Sequence, residues 1–251
     1  MNRLVGKAGV VTGAAGGIGS AACRAFVAEG AFVGLLDRPG PALDALAAEL
    51  GNPAVALPAD VTSEADVAAA YATWTAARPH ADFVYVCAGQ QLHDVDGPIG
   101  EVSLDTWNRV IAVNLTGAFL CVRYAIDALC AAASGSLILC GSPTGLSMSG
   151  AGNTAYGASK AGMMALARIV AADYAPHGVR ANVIVPGTTR TPLIEPLLAD
   201  PDTRAALLAG APIGRLGTPD DLTGIAVFLA SDESRYATGA TFAVDGGLTV
   251  R

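Results

Sequence analysis

The stretch AGVVTGAAGGIG at residues 8–19 decides the fold, because it has the pattern of a strand, a glycine-rich turn and the start of a helix. Gly13 permits a tight turn, and Gly17 and Gly19 let the backbone and the helix approach a pyrophosphate closely. The pattern alone is weak, but its place after the first predicted strand, with Asp37 ending the second, makes it specific. We predict that this turn binds a dinucleotide through Gly13, Gly17, Ile18 and Gly19.

Short apolar segments alternate with helix-length segments outward from this turn. Seven strands are predicted, at residues 8–12, 31–36, 54–58, 83–87, 136–140, 179–185 and 241–244. Helices are predicted near residues 17–30, 41–50, 63–78, 103–131, 155–175, 192–209 and 218–231. Strands that are apolar on both faces and separated by helices form a parallel sheet covered on both sides. The predicted fold is α/β, a single Rossmann-like, doubly wound domain spanning residues 1–251.

The composition excludes several function classes. The formal net charge of −7 and the lack of a basic run argue against nucleic-acid binding. The N-terminus lacks a signal-peptide pattern and no uninterrupted apolar stretch reaches the roughly 18–20 residues that span a bilayer, so we expect a cytoplasmic protein that does not bind membranes. Five cysteines without paired spacing favour reduced thiols, and no metal site is predicted. Cys87, near the predicted cofactor, is either a reactive thiol or, more commonly, a small apolar filler.

The adenosine end of the predicted site contains acidic residues after the second and third strands. Asp37 is expected to accept hydrogen bonds from the ribose hydroxyls and to repel a 2′-phosphate, which favours NAD over NADP. Arg38 is the counter-argument, because an adjacent guanidinium can hold that phosphate, and Asp37 could instead be a plain turn residue. Asp60 and Val61 are predicted to contact the adenine through the Asp side chain and the Val backbone. Asp60 fits equally well as a turn or helix-cap residue.

A proton-transfer site is predicted in the second half of the chain. Tyr156 and Lys160 are four residues apart in a helical pattern and share one face. A free phenol is a poor base at neutral pH, but a nearby ammonium favours the phenolate. Ser142, just after the fifth strand, is expected to hydrogen-bond the same substrate oxygen. Each residue taken singly has an ordinary alternative, a surface pair for the first two and a turn for the serine.

Together these residues resemble the short-chain dehydrogenase/reductase family over nearly the whole chain. The matching positions are Thr12, Gly13, Gly17, Gly19, Asp60, Ala88, Gly89, Asn114, Ser142, Tyr156, Lys160, Pro186, Gly187 and the run Asp245-Gly246-Gly247. The resemblance implies a Rossmann-like domain, usually a homotetramer, in which Tyr156 is the acid/base. Tyr156 and Lys160 would both contact the cofactor, and Lys160 would bind the nicotinamide ribose and make the phenol more acidic. Asn114 would hold a water of a proton relay, whereas the sequence pattern alone predicts a satisfied core amide there.

The resemblance also implies further cofactor contacts. After Gly187, the nicotinamide carboxamide would lie against the Thr189 backbone and the Thr191 side chain. Ala88 and Gly89 would line the cofactor, although the family's usual Asn-Asn-Ala-Gly is Val86-Cys87-Ala88-Gly89 here. The missing amides predict altered local stability or cofactor affinity without loss of the chemistry. Adjacent glycines at 16 and 17 also fit the sugar-nucleotide epimerase branch, which the short chain length argues against.

These features predict an NAD-dependent oxidoreductase that interconverts a secondary alcohol, such as a sugar, polyol or hydroxy acid, and its carbonyl. The alternatives are an NADPH-dependent 3-oxoacyl-thioester reductase and a non-catalytic NAD sensor or scaffold. A substrate loop is expected around residues 188–212, where Arg190 either anchors an anionic substrate or pairs with the cofactor pyrophosphate or a carboxylate such as Glu195. Apolar helices at 103–131 and 155–175 suggest a homotetramer or homodimer.

Overall fold

A parallel sheet of seven strands forms the centre of the computed structural model, which describes residues 2–147 and 152–250. The strands are β1 (Ala8–Thr12), β2 (Phe32–Asp37), β3 (Ala54–Pro58), β4 (Phe83–Val86), β5 (Ser136–Cys140), β6 (Arg180–Pro186) and β7 (Thr241–Val244). Their order is β3-β2-β1-β4-β5-β6-β7, and every pair is parallel. The α/β doubly wound fold is confirmed, and each predicted strand is present with its ends within one residue. Because the strand order reverses between β1 and β4, a crevice opens there at the carboxyl ends of the strands.

Helices cover both faces of this sheet. They are α1 (Gly17–Ala28), α2 (Pro41–Leu50), α3 (Glu64–Ala77), α4 (Leu104–Ile111), α5 (Gly117–Ala131), α6 (Pro143–Leu146), α7 (Thr154–Tyr174), α8 (Glu195–Leu198), α9 (Pro201–Gly210) and α10 (Thr223–Ala230). One buried apolar cluster joins the sheet to α3, α5 and α7, and a second joins its other face to α1, α2 and α10. Both faces of the sheet are therefore covered by helices, which explains why most positions in the strands are apolar.

Two predicted helices are interrupted in the structure. The segment predicted as one helix at 103–131 contains a π-helical turn at Ala112–Thr116, which joins α4 to α5. The segment predicted at 192–209 forms two short helices, because Pro201 disfavours a helical conformation at Asp200. The Asp200 side chain instead caps α9 by accepting the Thr203 backbone N–H at 2.9 Å. The π-helical turn leaves the apolar pattern uninterrupted, so the sequence did not predict it, whereas Asp200-Pro201 is a sequence signal for the second break that the prediction of one helix did not use.

The continuous helical segment Leu104–Ala131 is long and apolar enough to cross a bilayer by length and composition alone. It carries Arg109, Arg123 and Asp127, and 44% of its most apolar window is buried inside this chain. Its α5 portion packs against α3, β4 and β5. A core helix of a soluble domain passes the same test, so this feature is weak support for a membrane span.

Candidate active site

The turn after β1 forms a cradle that has no room for side chains. Gly13 has φ +67°, and a Cβ placed on it would lie 2.7 Å from the Ala88 backbone. A Cβ on Gly17 would lie 2.7 Å from the Thr191 methyl carbon, and one on Gly19 would overlap the Gly13 carbonyl oxygen. The first turn of α1 thus presents bare backbone N–H groups, which fits a pyrophosphate group. These positions fit a dinucleotide on steric grounds.

Asp37 ends β2 beside this cradle. One carboxylate oxygen accepts the Ala15 backbone N–H at 2.9 Å and the other accepts the Arg38 backbone N–H at 2.7 Å. The carboxylate is therefore held against the glycine turn while remaining half-exposed. A carboxylate accepts more than two hydrogen bonds, so it can still accept bonds from ribose hydroxyls. The Arg38 side chain is exposed.

The two predicted adenine contacts after β3 do not line the cavity described below. Asp60 accepts the Thr62 backbone N–H at 2.8 Å and the Thr62 hydroxyl at 2.7 Å. These bonds, with the nearby positive charge of Arg38, lower the pKa of the Asp60 carboxyl. This is the turn geometry weighed as the alternative for Asp60. Val61 is buried, and its side chain packs against Gly117 so closely that a Cβ on Gly117 would clash with it.

Thr12, at the end of β1, accepts hydrogen bonds from the segment after β4, where the asparagines usual in the family are absent. The Thr12 hydroxyl oxygen accepts the backbone N–H groups of Cys87 and Ala88, each at 3.2 Å. Thr12 is completely buried, so these bonds fix the segment after β4 against β1. The sequence indicates Thr12 only as the first residue of the glycine motif and carries no signal for these two hydrogen bonds.

Most of the predicted site residues meet in one cavity of about 980 Å³ at the carboxyl ends of the strands. The cavity is lined by the predicted residues Gly13, Gly17, Ile18, Gly19, Gly89, Ser142, Tyr156, Lys160, Gly187, Thr189 and Thr191. Asp37, Asp60, Val61, Ala88 and Asn114 lie outside that lining. The glycine cradle and the tyrosine–lysine–serine group, far apart in sequence, therefore share one solvent-reachable space.

Tyr156 and Lys160 lie on the first turns of α7, with the Lys160 nitrogen 5.6 Å from the centre of the Tyr156 ring. The Lys160 ammonium is buried and donates a hydrogen bond of 2.9 Å to the Cys140 carbonyl oxygen. A buried charge needs such a partner to offset lost hydration. This bond holds the ammonium at the end of β5, between the phenol and the strand.

Ser142 faces the same cavity from the segment after β5. Its hydroxyl lies 2.9 Å from the Thr144 hydroxyl and caps the one-turn helix α6. A Cβ on Gly145 of α6 would lie 2.6 Å from the Ala161 backbone nitrogen, so α6 packs directly on α7. This close approach brings Ser142 and Tyr156 to one wall of the cavity.

Asp96 is a further residue of the site, which the sequence did not indicate. Its two carboxylate oxygens accept the backbone N–H groups of Ala155 and Tyr156, at 3.0 and 2.9 Å. Asp96 is buried and lines the cavity, so a negative charge stands at the positive end of α7. These hydrogen bonds join residues about sixty positions apart in the chain, so the sequence around Asp96 does not predict them.

Asn114 lies in the π-helical turn and is completely buried. Its side-chain oxygen accepts the Gln90 N–H at 2.8 Å, and its nitrogen donates to the Gln90 carbonyl at 2.9 Å and the Ser159 hydroxyl at 3.0 Å. Ser159 in turn donates to the Tyr156 carbonyl at 2.7 Å. The Asn114 amide is thus satisfied and ties the segment after β4 to the tyrosine helix.

The loop after β6 closes the far side of the cavity. The buried Thr189 donates its hydroxyl hydrogen to the Gly187 carbonyl at 2.9 Å. Arg190 points elsewhere: its side chain is 65% exposed, and its Nε donates to Glu195 at 2.9 Å. That ion pair is the alternative considered for Arg190, and the residue is not part of the cavity lining.

A doubly wound parallel sheet with a side-chain-free glycine turn at its switch point is typical of a dinucleotide-binding fold. The family model described as "Enoyl-(Acyl carrier protein) reductase" matches residues 13–249. The chain belongs to the short-chain dehydrogenase/reductase family, which uses NAD(P), and it is an oxidoreductase acting on CH–OH groups.

Curated relatives of this chain are named as alcohol dehydrogenases. An inactive 2-(S)-hydroxypropyl-CoM dehydrogenase 2 of Xanthobacter autotrophicus is 40% identical over 90% of this chain and 98% of the relative. A cis-4-hydroxycyclohexanecarboxylate dehydrogenase of Sinomonas cyclohexanicum is 38% identical, covering 97% and 96%. An L-tagatose-forming galactitol 2-dehydrogenase of Cereibacter sphaeroides is 38% identical, covering 99% and 97%. The crystal structure of gox2181 matches with a TM-score of 0.94 at 31% identity, covering 99% of this chain and 98% of that one.

Proposed function

We propose that this protein oxidises a secondary alcohol to a carbonyl with NAD, reversibly, using Tyr156 as the acid/base. The observation that carries the proposal is that the glycine cradle, Ser142, Tyr156 and Lys160 line one cavity. The relatives named as dehydrogenases of a hydroxy acid and a polyol support the reaction class.

The protein's own residues would divide the work. The glycine turn would hold the pyrophosphate on α1, Thr189 and Thr191 would bind the carboxamide, and the bound nicotinamide would supply the hydride acceptor. Tyr156 would take the proton of the substrate hydroxyl as the carbonyl forms, and Ser142 would stabilise the charge on that oxygen by a hydrogen bond. Lys160 would favour the phenolate from its buried position.

The preference for NAD rests on Asp37. Its carboxylate is fixed beside the cradle by Ala15 and Arg38 N–H groups, where a 2′-phosphate would meet a like charge. Arg38 is exposed and contributes positive charge near Asp60, so it is the group that would weaken this preference. The proposal therefore predicts a measurable but finite discrimination against NADP.

The substrate end of the cavity favours a neutral alcohol. Its lining includes the apolar side chains Leu193, Ile194, Leu197, Leu207 and Leu248. The charged residues of the lining are Asp96, Glu101 and Lys160, and the Lys160 ammonium is hydrogen-bonded to the Cys140 carbonyl. Because Arg190 pairs with Glu195 outside the cavity, no free cation among the described lining residues awaits an anionic group. A neutral alcohol fits these surroundings better than the anionic group of a hydroxy acid or sulfonate.

Two alternatives remain to be tested against this proposal. A non-catalytic NAD-binding role is favoured by the relative named as inactive, but the complete tyrosine, lysine and serine group opposes it. A 3-oxoacyl-thioester reductase with NADPH would need the opposite cofactor preference to the one that Asp37 supports.

We also propose that the protein is a cytoplasmic homotetramer or homodimer that pairs through α5 and α7. Phe119 on α5 and Ile169 on α7 are 46% and 56% exposed. Large apolar side chains on the surfaces of neighbouring helices favour burial against a second copy. Light scattering of the wild type and of Phe119→Asp would detect a fall in molar mass if this face is the interface.

The test of the function is NADH formation across neutral polyols, sugars and cyclic alcohols and anionic hydroxy acids and hydroxysulfonates, repeated with NADP. Turnover of a neutral alcohol with NAD, abolished by Tyr156→Phe, is the expected result. Turnover restricted to acyl thioesters with NADPH would replace the proposal by the reductase. NAD binding without turnover in either direction would favour the non-catalytic role.

A further inference from the structure

Two cysteines end neighbouring strands beneath the cavity. Val86 of β4 faces Leu139 of β5, so the next positions in register are Cys87 and Cys140. Neighbouring strands lie about 4.8 Å apart, and a disulfide joins Cα atoms about 4.4–6.8 Å apart. Both side chains belong to the same sheet face, because they pack in one apolar cluster with Tyr85. The backbone positions therefore meet the distance that a disulfide requires.

The two thiols also contact each other. Interaction with the neighbouring Cys87 thiol lowers the pKa of the Cys140 thiol, although burial opposes this shift. The nearby Lys160 ammonium contributes in the same direction. The Tyr85 hydroxyl lies against both sulfurs, is completely buried and has no hydrogen-bond partner that meets ordinary geometry among the described residues. The site thus favours a thiolate on Cys140 with a thiol beside it.

The other three cysteines differ from this pair, because the pKa of each thiol is raised and none of them lines the cavity. Burial raises the pKa of the Cys23 and Cys121 thiols, and Cys130 is half-buried with a raised pKa from the same cause. Among the described cavity-lining residues, Cys87 and Cys140 are the cysteines present. A small oxidant that enters the cavity therefore reaches this pair and not the other three thiols.

We propose that Cys87 and Cys140 form an oxidation site for small peroxides, at which the two thiols close to a disulfide on the floor of the cavity. The Cys140 thiolate attacks one oxygen of hydrogen peroxide and the O–O bond breaks. The departing hydroxide takes up the proton that Cys140 had released, so that a sulfenic acid and one water are formed. The Cys87 sulfur then attacks the Cys140 sulfur, the S–O bond breaks, and a second water leaves with the Cys87 proton. In total the thiols lose two electrons and two protons, and the peroxide is reduced to two waters.

The disulfide would alter contacts on both walls of the cavity. The Cys140 carbonyl holds the Lys160 ammonium, and Ala88, next to Cys87, packs under Gly13. Closing the bond pulls these two backbone segments together, so activity is expected to fall and to return on reduction. This inference does not depend on the proposed reaction, because the bond can be detected without turnover.

The experiment is non-reducing peptide mapping of the full chain after treatment with hydrogen peroxide. No lysine or arginine separates Cys130 from Cys140, so a tryptic map of the wild type cannot distinguish these two partners. The mapping is therefore done in a Cys130→Ser background, with Cys23→Ser as the matched control for a buried thiol outside the cavity. The expected result is a link between the Cys87 and Cys140 peptides that lacks two hydrogens and disappears with dithiothreitol.

Cys87→Ser and Cys87→Ala in the same background should yield no link, and their Cys140 should accumulate sulfinic acid instead. The Cys23→Ser control should retain the link. Peroxide that leaves the two peptides unlinked, whether unmodified or oxidised singly, would overturn the proposal. So would a link that requires Cys23. Absence of turnover in the reduced protein, in a preparation that still forms the link under peroxide, would count against the proposed reaction and not against the dithiol.

Discussion

The glycine cradle, proposed to hold the cofactor, and the proposed reacting end of the cavity, which contains Ser142, Tyr156 and Lys160, are built by different means. The cradle is one short run whose glycines leave no room for a Cβ, so its shape follows from steric exclusion between neighbouring backbone segments. The reacting end joins Ser142, Tyr156 and Lys160 through hydrogen bonds from distant segments, notably those of Asp96. The first region is encoded locally, whereas the second depends on the completed fold. Substitutions in the two regions should therefore fail in different ways.

The largest effect is expected at the reacting end from Tyr156→Phe. Removing the hydroxyl removes the group proposed to transfer the proton, so kcat should fall by about 10²- to 10⁴-fold. NAD affinity should change little, because the ring remains in place. Steady-state kinetics with calorimetric binding check this, with Tyr174→Phe at the far end of α7 as the matched control. A variant that keeps more than a tenth of the activity would contradict the assigned role.

The cradle should respond in the opposite way to Gly13→Ala. The added Cβ meets the Ala88 backbone at 2.7 Å at a φ of +67°. Strain of about 1–3 kcal/mol, with displacement of the turn, should weaken NAD binding by about ten- to a hundredfold. Gly6→Ala is the control, because Gly6 has φ +79° but nothing within 4 Å of its Cβ position. Equal losses of NAD affinity in both variants would mean that strain alone, and not the cradle, is responsible.

Asp96→Ala tests whether hydrogen bonds from a distant segment position the reacting end, because it leaves every predicted catalytic side chain in place. The loss of two bonds to the start of α7 should cost about 1–2 kcal/mol of stability and lower kcat about tenfold as Tyr156 shifts. Ser63→Ala removes the cap of α3 away from the cavity and should reduce stability without lowering kcat. Thermal unfolding and kinetics measured together separate the two effects. If Asp96→Ala behaves like Ser63→Ala, Asp96 only stabilises the helix.

A smaller effect is expected from Asp37→Ser at the edge of the cradle. Removing the charge should raise the ratio of kcat/KM for NADP over NAD about tenfold, since like charges near 4 Å repel by about 1–4 kcal/mol. Asp60→Asn is the matched control and should leave that ratio unchanged. An unchanged ratio in Asp37→Ser would assign cofactor selection to another residue.

The smallest effect is expected from Arg190→Ala. Its exposed ion pair with Glu195 is worth about 0–1 kcal/mol, and the side chain does not reach the cavity. KM values for neutral and anionic alcohols should therefore remain within about twofold of the wild type. Arg24→Ala, which breaks the exposed pair with Glu49, is the control. A selective rise in KM for anionic substrates would restore Arg190 as an anchor.

The features that depend on neighbours in the chain could be predicted from the sequence, whereas those that depend on the completed fold could not. The strands, the glycine turn and the positions of Ser142, Tyr156 and Lys160 follow from periodicity and short motifs, because each depends on neighbours in the chain. Asp96 and the second function of Thr12 could not be predicted, since their partners lie about sixty to seventy-six residues away. The π-helical turn at Asn114 could not be predicted either, because an apolar helical pattern continues through it. Part of the interval before α7, residues 148–151, lies outside the described residues.

NAD binding and turnover measured side by side in Gly13→Ala and Tyr156→Phe test whether the two regions act separately. We expect opposite losses, in which Gly13→Ala loses NAD affinity but regains much of its turnover at saturating NAD. Tyr156→Phe should bind NAD like the wild type and turn over hardly at all. If both variants lose binding and turnover in parallel, the two regions do not act separately and the division of labour is wrong.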